Sequence, residues 1–197
     1  MELDIDNIAE YYKRMSNQEL IRVSTQDARG LRPEVFEIIE KEIKKRNLNP
    51  DLLKGALAQN KEYSIEELEK YSSKLRDLAC PICGQIGQQL NGTVAHSIRS
   101  FLIVTTVRTE PFIACPQCLD KKNNIALITS ALLGWWGIPW GILRTPTYLY
   151  RNIKAKSHNH MDSPNETLLS FTLSNIGEIE TYGDDKSKMN KLIQLKD

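Results

Sequence analysis

An α+β protein assembled from small pieces is what the sequence predicts, and three observations carry the prediction. Helix-start signals recur through the first third of the chain. A β-branched stretch lies between two C-x-x-C pairs. A run of 19 uncharged residues, 125–143, leads through all three tryptophans. The expected segments are a helical region over residues 1–79, a small antiparallel unit over 80–120, an apolar helical hairpin over 121–156 and a helical tail over 157–197.

Composition narrows the function classes. The 197-residue chain carries 26 basic and 25 acidic residues, a net charge of +1, so no global field draws in nucleic acid or an anionic surface. Binding of either kind must come from a local patch. The opening MELDIDNIAE has neither the basic nor the apolar region of a secretory signal, and the expected compartment is a reducing cytoplasm.

In the first segment, residues 5–15 suit a helix, and Ser16 with Glu19 forms a capping box that opens another over about 17–27. Gly30 closes that pair. Pro33 fits the first turn of a helix over 33–46, where its missing N–H has no helical partner to lose. Val35, Ile38, Ile39 and Ile43 share one face of it. Glu37 with Lys41, Glu40 with Lys44 and Glu42 with Arg46 are spaced four apart on the others. A short helix over 51–59 follows Asn49-Pro50, and a second capping box, Ser64 with Glu67, opens a helix through about 77. These charged runs read as solvated faces. The apolar seams are thin for a self-sufficient core of this size, which points to a docking module or to packing on the rest of the chain.

Cys80-Pro-Ile-Cys83-Gly84 and Cys115-Pro-Gln-Cys118 form two knuckles separated by 31 residues. Zinc takes four thiolates tetrahedrally, and two residues between paired cysteines let a tight turn aim both sulfurs at one ion. Asn91-Gly92 is a hairpin signal, and residues 98–107, IRSFLIVTTV, suit a strand. Two or three strands pinned at one end by a structural zinc on Cys80, Cys83, Cys115 and Cys118 make a small antiparallel zinc ribbon. The competing reading is a redox C-x-x-C. It is disfavoured because proline follows the first cysteine of both pairs and neither is expected to open a helix in a βαβ context. Four thiolates leave no open coordination position for catalysis. His96 is read as an ordinary strand histidine rather than a ligand.

As one straight helix, residues 125–143 would span about 28 Å, close to a hydrocarbon core of about 30 Å. Gly134, Gly137, Pro139 and Gly141 argue instead for two helices, 125–136 and 140–153, with a reversal at Gly137-Ile138-Pro139. Basic residues flank both ends almost equally, Arg108, Lys121 and Lys122 before and Arg144, Arg151, Lys154 and Lys156 after. Both ends on one side is the simpler reading, hence a re-entrant or interfacial hairpin with tryptophans at headgroup depth. A buried helix pair in a soluble fold, or an oligomer interface, is the alternative.

The combination of CPICG, an Asn-Gly turn, a β-branched strand, CPQC and LLGWWGIPWGILRTPTYLYRN resembles a group of uncharacterised bacterial zinc-ribbon proteins with a GWWGxPWG-type apolar segment. The stretch SNQELIRVSTQDARGLRPEVFEIIEKEIKKRNL resembles a short helical unit found in many bacterial proteins. Together these cover residues 16–152. The resemblance implies architecture and membrane attachment, and it brings no catalytic residue. Residues 134–141 are its most specific part, and Leu143-Arg144-Thr145-Pro146 is expected to be a second turn.

In the tail, His158-Asn159-His160 lies in a polar loop without a ββα-metal pattern and is not read as a nuclease. Ser163-Pro164-Asn165-Glu166 reads as an N-cap serine, a first-turn proline and a third-position glutamate. Leu168, Leu169, Thr172, Leu173 and Ile176 follow at helical spacing to a stop at Gly177. Met189, Leu192, Ile193 and Leu195 suggest a last short helix.

The function expected is non-catalytic. A zinc-ribbon protein on the cytoplasmic face of the membrane, with lipid and a protein partner as its ligands, would act as adaptor or scaffold. The alternatives are a soluble nucleic-acid-binding ribbon using Arg99, Arg108, Lys121 and Lys122 on phosphates, and an antitoxin-like or immunity protein. Near-neutral charge and the lack of aromatics interleaved with those bases count against nucleic acid.

Overall fold

A computed structural model describes residues 5–194, and in it both capping boxes are formed. Ser16 Oγ accepts the Glu19 N–H at 3.2 Å while Glu19 accepts the Ser16 N–H at 2.7 Å. Ser64 and Glu67 repeat the exchange at 3.2 and 3.0 Å. The helices that result are α1 (Ile5–Arg14), α2 (Asn17–Thr25), α3 (Pro33–Lys45), α4 (Asp51–Ala58) and α5 (Ile65–Arg76). Two strands and five further helices follow: β1 (Asn91–Phe101), β2 (Val104–Ala114), α6 (Pro116–Leu133), α7 (Trp140–Ser157), α8 (Glu166–Ser174), α9 (Ile176–Tyr182) and α10 (Lys186–Ile193). The class is therefore α+β, with a two-stranded antiparallel sheet among the described residues.

Contacts divide the chain into two compact units, and the chain passes between them within α5, α8 and α10. The first holds residues up to Tyr71 together with Thr172–Met189. Its core joins the α3 seam, Val35, Ile38, Ile39 and Ile43, to Tyr12, Leu20 and Leu52. Arg46, one residue beyond α3, donates to the carbonyls of Tyr12 at 2.8 Å and Met15 at 2.6 Å, and Glu42 holds it at 2.8 Å. A guanidinium thus supplies donors to carbonyls at and just beyond the end of α1.

The second unit holds Ser72–Phe171 and the residues from Asn190 onward. β1 and β2 pair from Asn91↔Ala114 to Phe101↔Val104, and both α6 and α7 pack on β1. In a two-stranded sheet each strand has one unpaired edge, and a buried edge must find partners for its N–H and C=O groups. Polar side chains supply them here. The His96 N–H donates to Asn152 Oδ1 at 2.8 Å, and Asn152 Nδ2 donates back to the His96 carbonyl at 2.6 Å. The Ile98 N–H donates to Ser130 Oγ at 3.1 Å, and Asn165 Nδ2 donates to the Gly92 carbonyl at 2.6 Å. Ser130 and Asn152 are fully buried for this purpose.

Several local expectations need correction. Asn91-Gly92 begins β1 and makes no turn. The hairpin instead reverses at Leu102-Ile103, inside the stretch expected to be one strand. Gly92 is where it is because α8 lies against it: a Cβ there would sit 2.7 Å from the Leu168 nitrogen. α6 begins at Pro116, nine residues before the expected start, and ends three residues early. Pro146 lies inside α7, beyond its first turn and with an exposed ring, and the chain continues as helix through it. Asn165, not Ser163, caps α8, accepting the Leu168 N–H at 3.0 Å. The break after α8 comes at Asn175, and Gly177 is buried inside α9. Leu195 of the expected last helix lies outside the described residues.

Candidate metal centre and the apolar end

All four cysteines converge. The sulfurs of Cys80, Cys83, Cys115 and Cys118 lie within 4.8 Å of one another, and Cys83 and Cys115 are 3.7 Å apart. Four sulfurs at about 2.3 Å from a tetrahedral ion would be about 3.8 Å apart, so the cluster has the dimensions of a single-ion cage. None is joined in a disulfide, and all but Cys83 are buried. The donor set fits a metal, and Cys80, Cys83, Cys115 and Cys118 could hold one.

Each knuckle is shaped by local chain geometry. Beyond α5, the Gly84 N–H closes a turn on the Cys80 carbonyl at 2.8 Å, and Gly84 takes φ +73°, a region open to glycine at little cost. The second knuckle is the start of a helix, though not in the βαβ context that a redox motif would have. Cys115 is the N-cap of α6, Pro116 occupies its first turn, and the Cys118 N–H returns to the Cys115 carbonyl at 3.0 Å. The positive end of α6 therefore points at the sulfurs. β2 leads in antiparallel to β1, so the helix is not part of a βαβ unit.

Electrostatics within the cluster are uneven. Burial pushes the Cys80 thiol up, but N–H groups of Cys115, Cys83 and Ile82 outweigh it and bring it down to about 7. The Cys115 N–H reaches the Cys80 sulfur at 3.4 Å. Burial pushes the thiols of Cys115 and Cys118 up. A cation in the cage would offset that cost by neutralising the thiolates. His96 plays no part: its Nδ1 pairs across the strands with Thr109 Oγ1 at 3.0 Å.

At the other end of the second unit the chain turns its apolar groups outward. Phe101, Leu102, Ile103 and Val104 at the hairpin tip are exposed, as are Trp135, Trp136 and Ile138 between α6 and α7 and Trp140 at the start of α7. The two turns touch: the Ile138 N–H donates to the Leu102 carbonyl at 2.9 Å, and Leu102 bridges to Gly137. Glycines make this approach possible. A Cβ on Gly137 would meet Ser100 Cβ at 2.9 Å, and one on Gly141 would meet the Gly134 carbonyl at 2.5 Å. The GWWGIPWG stretch thus turns its small residues inward and its large ones outward. The inner faces of α6 and α7 follow suit with Asn123, Ala126, Ser130, Thr145 and Asn152, while Ile125, Ile128, Leu132, Ile142 and Leu143 face out.

This is the reverse of a water-soluble helix pair. Among the described residues no helix is long and apolar enough to cross a membrane. Sequence reasoning located the tryptophan stretch but missed the hairpin tip, whose side chains read as strand interior. Of the basic residues considered for phosphate contacts, Arg108 pairs with Glu110 at 2.8 Å, and Lys122 lies 4.6 Å over the Phe112 ring. No family profile, curated protein or solved structure matches the chain.

Proposed function

We propose that this chain is a non-catalytic zinc-ribbon protein attached to the cytoplasmic face of a membrane, serving as adaptor or scaffold for a protein partner. The observation that carries the reading is the inverted end of the second unit, with small and polar residues inside and tryptophan, isoleucine and leucine outside. Exposed apolar surface on this scale marks a contact with lipid or protein, and small residues facing inward are how helices pack where the surroundings are apolar. In this reading the first unit presents the partner surface.

Zinc is the ion that suits four thiolates in a tetrahedral cage, and paired reduced cysteines belong in a reducing compartment. Bound there, it supplies a structural clamp on the roots of the hairpin and of α6. The likeness of the CPICG, CPQC and GWWGIPWG stretches to bacterial zinc-ribbon proteins with an apolar segment supports the same assignment. The test is cell fractionation with a carbonate wash and a detergent step, followed by metal analysis of the extracted protein. Attachment predicts release by detergent and one zinc per chain. Recovery in the soluble fraction, or metal-free protein, would overturn it.

A further inference from the structure

The hairpin tip has a property that its fold does not require. A two-residue turn between antiparallel strands favours Asn or Gly, because positive φ is unfavourable for other residues. Leu102 nevertheless takes φ +52°, and its neighbours are Phe101, Ile103 and Val104. Ile103 is 83% exposed and Phe101 75%, so none of this apolar surface contributes to the core. The sequence accepts backbone strain to keep four large apolar side chains facing outward, and such strain points to function.

Charge around the tip points the same way. Residues 78–109 and 121–161 contain no Asp or Glu but hold eight Lys or Arg. Arg99 stands two residues before Phe101, and Arg144 lies one turn into α7 with its guanidinium 5.1 Å from the Trp140 ring. Both lie about 5–10 Å back from the apolar end by strand and helix rise, the depth to which interfacial segments settle below lipid headgroups. Two of the outward tryptophans also have their polar groups already paired. The indole N–H groups of Trp135 and Trp136 donate to the carbonyls of Ala131 and Leu132 at 2.9 and 2.8 Å, closing off carbonyls that the end of α6 leaves free.

We propose that the tip Phe101-Leu102-Ile103-Val104 enters an anionic bilayer together with the tryptophan turn, as one composite surface whose depth is set by Arg99 and Arg144 on lipid phosphates. The proposal rests on the membrane reading above and extends it to a segment outside the tryptophan stretch.

The test is flotation of the full zinc-loaded chain with vesicles of phosphatidylcholine, with and without phosphatidylglycerol. Phe101→Ser with Ile103→Ser is expected to lower partitioning at least about tenfold, from the apolar area lost. Leu102→Asn is expected to lower partitioning without lowering the melting temperature, since asparagine tolerates the left-handed region. Fold stability and membrane affinity then move apart, which a purely structural role would not produce. Arg99→Gln with Arg144→Gln is expected to abolish the preference for phosphatidylglycerol. Tip variants that float like the wild type, while Trp136→Ser does not, would overturn this inference and leave the attachment reading standing. A wild-type chain that ignores both vesicle types would overturn attachment itself. A wild-type dimer that Ile103→Ser converts to monomer, without vesicle binding, would make the surface an interface between copies and overturn the proposal.

Discussion

Replacing Asn152 by alanine tests whether polar side chains on α6 and α7 complete the open edge of β1. Asn152 is fully buried and makes two hydrogen bonds to one residue, accepting the His96 N–H at 2.8 Å and donating to the His96 carbonyl at 2.6 Å. The alanine variant orphans the N–H outright. The carbonyl keeps a weaker donor in Ser130 Oγ at 3.3 Å. An unsatisfied buried N–H costs about 1–3 kcal/mol, so with a small loss of packing the expected destabilisation is about 2–3 kcal/mol. Ser130→Ala alone orphans the Ile98 N–H and is expected to cost about 1–2 kcal/mol. The double variant should exceed the sum, because the His96 carbonyl then loses both donors. A coupling of about 0.5–1 kcal/mol is expected. Urea unfolding of the four proteins at matched metal content, followed by circular dichroism, measures all three quantities. A cost below about 0.5 kcal/mol for Asn152→Ala, or strict additivity in the double variant, would refute the edge-completion argument.

Three further outcomes are expected. Cys118→Ser should remove the bound metal and, by hydrogen exchange, loosen the ends of β1 and β2 nearest the cage; unchanged metal content on elemental analysis would refute the site. Gly141→Ala should destabilise by about 2–3 kcal/mol, since its Cβ would press on the Gly134 carbonyl at 2.5 Å and on Ser100 Oγ at 2.8 Å, and a melt within error of wild type would show the turn to be slack. Asp120 is raised by burial but lowered further by hydrogen bonds from Asn159 and His160, so its carboxyl titrates below the ordinary value. The folded value lies below the unfolded one, so this stabilisation is full above about pH 4 and is lost as pH falls through the lower folded value. Asp120→Asn should therefore flatten the acid limb of a stability–pH curve, and an unchanged limb would assign it to other carboxylates.

What was legible in the sequence divides along the range of the interactions. Capping boxes at Ser16 and Ser64 and the seam of α3 are local, and both were read correctly, with helix ends within two residues. The four cysteines were legible because zinc-like spacing is itself a short-range pattern. Errors came where a distant element decides the local conformation. Asn91-Gly92 carries a turn signal, yet α8 packs so closely on Gly92 that its smallness serves contact instead. The hairpin turn at Leu102-Ile103 carries no turn residue at all, so no local rule could find it. Asn165 outcompeted Ser163 as cap of α8 because it also bonds the Gly92 carbonyl. Buried Asn152 and Ser130 looked like ordinary helix positions, since nothing in a single chain announces an unpaired strand edge.

The two ends of the second unit are consistent with a single physical design. β1, β2 and α6 each run between the cysteine cluster and the apolar end, with strands of 11 residues, about 36 Å, and a helix of 18, about 27 Å. A two-stranded ribbon alone is marginal in water, and here one face and one edge are covered by helices whose contact surfaces are small and polar. That choice leaves little apolar burial to hold the far end together, so rigidity must come from the glycine contacts at Gly137 and Gly141 and from the buried hydrogen bonds along β1. Large side chains released from the core by this arrangement are the ones found outside. The same substitutions that would make the end stable as a soluble domain, with leucines inward and serines outward, would erase the surface it displays.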